Sequence, residues 1–128
     1  MFLIMKIFLK RIKACASIEG SIERKAQALQ VAASVFNSIE STGLKTDSIT
    51  YTSMFHAVLN LTEDATEKVD ALSGIFQRCC ADGCLNQHMM TILASKVSRE
   101  ELLSIIGHEH AVDVENLPVE WSKHARTM

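Results

Sequence analysis

Residues 35–47, VFNSIESTGLKTD, and residues 75–86, IFQRCCADGCLN, are the stretches on which the fold turns. Laid one above the other, Phe36 falls on Phe76 and Gly43 on Gly83, both at a separation of 40 residues. Each stretch is an amphipathic run closed by a glycine, where a helix end favours a left-handed residue, and then by a polar residue suited to cap the next helix. Upstream, Lys13-Ala14 lies over His56-Ala57 at a shift of 43, so the loops within the two units differ slightly in length. The repeated unit is helix, loop, helix and glycine turn. One such hairpin cannot bury both of its apolar faces alone, so it must stack on a neighbour.

Outward from the repeat, apolar residues recur every three or four positions along most of the chain. The spacing predicts a helix over 21–41 with Ala26, Leu29, Ala33, Phe36 and Ile39 on its buried face. A third helix over 49–60 carries Tyr51, Met54, Phe55, Val58 and Leu59. A fourth, capped by Thr62 or Asp64, runs to about residue 80 with Val69, Leu72, Ile75 and Phe76 inward. Asn86 is placed to cap a fifth helix bearing Met89, Met90, Ile92 and Leu93. Ser98 and Glu101 form a capping box for a short sixth, in which Leu102, Leu103, Ile105 and Ile106 are inward and Gly107 is the stop. After Gly107 only Pro118 and Trp121 offer anchors.

Composition agrees with this pattern. The chain has 128 residues, 48% of them hydrophobic and 22% charged, in the range of a folded globular protein with one modest core. Proline is absent until Pro118 and alternating strand-like runs are scarce, so the expected class is all-α. The formal charge of −2 offers no basic excess of the kind nucleic-acid binders usually display, which leaves only a basic stripe on one face as a route to RNA. The first 17 residues, MFLIMKIFLKRIKACAS, are apolar and basic with no acid before Glu19. Lys6, Lys10 and Arg11 interrupt what would have to be the apolar core of a signal peptide or a membrane span. Two readings remain: an organelle presequence, and an amphipathic core helix with Phe2, Met5, Leu9 and Ile12 on one side and Lys6, Lys10 and Lys13 on another.

The junction Gly43-Leu44-Lys45-Thr46-Asp47-Ser48-Ile49-Thr50-Tyr51 resembles the repeat boundary of pentatricopeptide-repeat proteins, in which a Gly-x-x-Pro-Asp turn leads into Val-Thr-Tyr-Asn. Asp47, Thr50 and Tyr51 match, and Thr46 stands where the family has proline. Ala71-Leu72 before Ile75-Phe76 is similar to the family's second-helix signature. The resemblance covers about residues 7–95, with one good repeat at 48–86, and tetratricopeptide repeats share its hairpin logic. It implies a right-handed α-solenoid of stacked hairpins over 1–95, a capping helix over 96–107 and an irregular tail over 108–128. It further implies a protein that binds single-stranded RNA in a mitochondrion or plastid, or in the cytoplasm if no organelle is involved. The alternative is a tetratricopeptide-like adaptor for other proteins. Family members string many repeats together, so two imply a piece of a longer array or of a larger assembly.

The same resemblance assigns base reading to Thr52 and Asn86, a pair associated with adenine, and makes Ile49 the apolar residue flanking the base. Asp47 is a weaker candidate, because its partner in the degraded repeat is Leu9, which cannot hydrogen-bond a base edge. Each has a plainer role: Thr52 as an ordinary first-turn residue, Asn86 and Asp47 as helix caps. Cys80-x3-Cys84-x3-His88, beside Cys79, suggests zinc, but the second ligand pair would have to come from His108-Glu109-His110 folding back. The expectation is therefore reduced structural cysteines, no metal and no cofactor. No catalytic motif of the HExxH, GxSxG, phosphate-loop or dinucleotide kind is present, and the acid pairs Glu63-Asp64 and Glu100-Glu101 sit at helix starts. The sequence thus points away from an enzyme.

Overall fold

A computed structural model describes residues 2–43, 46–107 and 117–123, and among these it contains six α-helices, a short 3-10 turn and no strand. In chain order they are α1 (Phe2–Ala16), α2 (Ile22–Ser41), α3 (Ser48–Leu61), α4 (Ala65–Ala81), α5 (Gln87–Lys96) and α6 (Arg99–Ile106), followed by the 3-10 turn Val119–Ser122. The chain is all-α. Two compact units divide at Lys68 and Val69, inside α4.

Short polar side chains start these helices, as the unsatisfied N–H groups of a first turn require. Ser21 Oγ accepts from the Arg24 amide at 3.2 Å, and Asp64 Oδ2 from Glu67 at 2.9 Å. Asp64 is thus the cap of α4, while Thr62 serves as the C-cap of α3. The Ser98–Glu101 capping box is complete, with Ser98 N donating to Glu101 Oε1 at 2.8 Å and Glu101 N donating to Ser98 Oγ at 3.1 Å. Gly107 is the C-cap of α6.

In the first unit α1, α2 and α3 each pack on the other two. Ile12, Phe36, Ile39, Tyr51, Phe55 and Val58 are buried, and the Phe36 and Tyr51 rings meet edge-on with centroids 5.5 Å apart. Helix α3 is buried on nearly every side: its exposed residues are His56 and Asn60. Asn60 Nδ2 donates to the carbonyls of Ala16 and Ile18, tying the end of α3 to the end of α1.

The inward face of α2 differs from the expected one. Ala28, Ala32, Val35, Phe36 and Ile39 are buried, whereas Ala26 is exposed and Leu29 and Ala33 are half-buried. The cause is degeneracy: α2 carries alanine, valine or leucine around most of its circumference, and a methyl group on either side satisfies the same period. Contact with α1 and α3 selects between them. Leu59 likewise is half-buried rather than core.

In the second unit Leu72, Ile75, Phe76, Cys79 and Cys80 of α4, Met89, Met90, Ile92 and Leu93 of α5, and Ile105 and Ile106 of α6 are buried. Helix α5 packs on α6. Trp121 anchors the far end of the chain: its ring stands at 90° to Phe76 with centroids 5.5 Å apart, and its carbonyl accepts from the Leu85 amide at 2.8 Å. Most of the expected tail, residues 108–116 and 124–128, lies outside the described residues.

Candidate functional site

The two aligned stretches of sequence end in turns of like stereochemistry. Gly43 has φ +80° and Gly83 φ +69°, both in the left-handed region that costs other residues about 1–2 kcal/mol. An Asx residue then caps the next helix at each junction. Asp47 Oδ1 accepts from the Thr50 amide at 2.9 Å, and Asn86 Oδ1 accepts from the Met89 amide at 2.9 Å. At the first junction Thr50 Oγ1 also donates to Asp47 Oδ1, at 2.7 Å. The second junction is a full Schellman turn, with Cys84 N donating to Cys79 O and Gly83 N to Cys80 O at 2.9 and 3.0 Å.

The residues implied in base reading lie at these junctions. Asp47 caps α3, and Ile49 and Thr52 lie on its first two turns, in the first unit; Asn86 heads α5, in the second. Ile49 is half-buried and Asp47 is occupied as the cap. Thr52 is 8% exposed and its hydroxyl donates to the Ser48 carbonyl at 2.8 Å. Asn86 uses Oδ1 for its cap, while Nδ2 is screened from solvent with no hydrogen-bond partner. Leu9, opposite Asp47 in the degraded repeat, is half-buried on α1.

The four cysteines stand as thiols. Cys79, Cys80 and Cys84 are buried, with Cys79 Sγ 4.0 Å from Met89 Sδ and Cys84 Sγ 3.6 Å from the Asp82 carbonyl. Burial pushes the Cys79 thiol strongly up, with the neighbouring Cys80 and Cys84 adding to it. Burial likewise pushes Cys80 up to about 12 from an ordinary value near 9. Such thiols are protonated at neutral pH and pack as small apolar side chains. His88 is exposed, His108 and His110 lie outside the described residues, and among those described no three His, Cys, Asp or Glu side chains are arranged to hold a metal.

Two surfaces emerge that residue spacing only hinted at. On α1 the side chains of Lys6, Ile7, Lys10, Arg11, Lys13 and Ala14 are exposed, while Ile12 is fully buried on the opposite side. Lysines at i, i+4 and i+7 signalled one edge of this face, and Arg11 and Ile7 extend it. In the second unit an open cleft of about 570 Å3 is lined by Phe76, Cys80, Ile105, Ile106 and Trp121 among others. No helix among the described residues is long and apolar enough to cross a membrane. Compared with known proteins, the chain matches no family model, no curated protein and no solved structure.

Proposed function

We propose that the chain is a non-catalytic helical-repeat protein, a right-handed α-solenoid of the pentatricopeptide kind, that binds single-stranded RNA in organelle RNA processing or expression. The observation that carries this reading is the duplicated junction. A left-handed glycine followed by an Asx cap with matching 2.9 Å geometry recurs at Gly43–Asp47 and Gly83–Asn86, and the first of these is the segment resembling the family. In that family each repeat addresses one base. By that resemblance Ile49 would be a base-flanking position, and Thr52 and Asn86 would each be a base-reading position. Both polar side chains already serve a helix, so base preference should be slight and total affinity modest.

The test is a titration of single-stranded RNAs that differ at one base, using Thr52→Val and Asn86→Asp. Both substitutions preserve shape or cap, so they report recognition rather than unfolding. Binding by the wild type with a preference for adenine that both variants lose is the expected result. Unaltered base preference in both variants would remove these residues from the reading.

A protein-adaptor role is the second reading, favoured by the open cleft beside Phe76 and Trp121, whose mixed apolar and polar lining could take a short amphipathic peptide segment. Absence of any RNA binding at low salt, with Trp121→Ala weakening capture of an amphipathic peptide, would select it.

A further inference from the structure

The chain's charges are close to balanced overall, but α1 is not balanced. It carries Lys6, Lys10, Arg11 and Lys13 and no acid, and the first carboxylates in the sequence, Glu19 and Glu23, lie beyond its end. All four cations are exposed, and none is ion-paired among the described residues. Lys25 of α2, by contrast, is held 3.7 Å from Glu63. At about 1.5 Å rise per residue, Lys6 and Lys10 are displaced by roughly 6 Å along the axis and Lys13 by a further 4.5 Å or so. They form one row, with Ile7, Arg11 and Ala14 forming the row beside it. Ile7 is 51% exposed in the middle of this positive field.

A surface helix needs no such face for folding. The buried side of α1, centred on Ile12, supplies its packing on α2 and α3, and four uncompensated like charges on one helix repel each other by a few tenths of a kcal/mol per neighbouring pair. A ligand carrying closely spaced negative charges relieves that repulsion and fits the linear arrangement. Insertion of this helix into a bilayer would require its apolar side, which is already occupied by α2 and α3. A flexible polyanion lying along the exposed side requires nothing to move.

We propose that the Lys6–Lys10–Lys13 row, with Arg11, is a phosphate-tracking surface for the backbone of single-stranded RNA, and that Ile7 packs against a ribose or base face between phosphates. The inference rests on the RNA-binding reading and adds to it a sequence-independent site on the first helix, separate from the α3 and α5 junctions. Because phosphate contacts release counterions, affinity for a single strand falls with salt at a logarithmic slope of about −0.7 per contact. Four contacts give a slope near −2.8, a loss of roughly 50-fold between about 50 and 200 mM salt.

The experiment titrates the full chain with an end-labelled oligouridylate across that salt range. It compares wild type, a triple variant Lys6→Gln, Lys10→Gln, Lys13→Gln, and a control triple variant Lys96→Gln, Arg99→Gln, Lys123→Gln with the same change in net charge. All six positions are exposed, so melting temperatures should coincide. The α1 variant should bind much more weakly at low salt and show a slope near −0.7, while the control stays close to wild type. If RNA binds but the α1 variant keeps its affinity and slope, or the control loses as much, this surface is overturned and the broader reading stands. If the wild type binds no RNA at low salt, both fall. Wild-type binding to phosphatidylserine vesicles alone would transfer the cationic face to a lipid surface.

Discussion

Asn86 shows how a residue can satisfy one requirement and violate another. Its Oδ1 accepts the Met89 amide at 2.9 Å, which is what a helix start needs, but the price is a screened Nδ2 with no partner. An orphaned buried donor costs about 1–3 kcal/mol. Asn86→Asp keeps the acceptor, removes the donor and puts a negative charge at the positive end of α5. We expect it to raise the melting temperature, with a gain of about 0.5–1 kcal/mol. Asn86→Ala loses the cap and should cost about 1 kcal/mol. Parallel thermal melts of the two variants decide the matter, and a fall in both would mean that Nδ2 has a partner in solution. Thr52 illustrates the opposite case, since its hydroxyl proton is already used within its own helix, in donation to Ser48.

At the scale of the element, glycine turns and apolar faces do different work. Gly43 and Gly83 hold φ values of +80° and +69°, and an added Cβ at Gly43 would meet nothing within 4 Å. Gly43→Ala should therefore cost about 1 kcal/mol from backbone strain alone, and Gly43→Asn less, because asparagine tolerates the left-handed region better. Denaturant melts giving equal losses for the two would show that the turn relaxes out of this conformation. Helix α4 is held instead by its face: Phe76 is 2% exposed and meets Trp121 edge-on. Phe76→Ala should cost about 3–5 kcal/mol in chemical denaturation. A loss under about 1 kcal/mol would mean that the neighbouring side chains collapse into the space.

Across the whole molecule, the buried thiols couple stability to pH on the alkaline side. The Cys80 thiol is raised from near 9 to about 12 and Cys79 is raised further, both chiefly by burial. Between those values the unfolded chain has released protons that the folded chain retains. The stabilisation is therefore complete below about pH 9 and is lost as pH climbs toward the folded values. Each thiol can contribute up to about 1.4 kcal/mol of loss per pH unit. Urea melts from pH 8 to 10 should show stability declining with pH, and a Cys79→Ala, Cys80→Ala double variant, though less stable at neutral pH, should show a shallower decline. An unchanged slope would mean that these thiols are reached by water.

Helix class and much of helix placement could be read from residue order, because both depend on interactions within a few positions. The caps at Asp47, Asn86 and Ser98, the glycine stops, and the inward faces of α4 and α5 follow from local hydrogen-bonding geometry and a strong period of large side chains. Where the local signal is ambiguous, as on α2 with alanine, valine and leucine around it, packing against α1 and α3 chose Ala28, Ala32 and Val35 over Ala26 and Ala33. The bridge from Asn60 to the end of α1 and the clasp of Trp121 on Leu85 join residues too far apart in sequence for any spacing rule to pair. The candidate site divides the same way. Thr52, Ile49, Asp47 and Asn86 could be singled out by motif, but only three-dimensional packing showed that Thr52 turns inward while the cations of α1 turn outward. Exposure is a property of what covers a side chain, and what covers it comes from elsewhere in the chain.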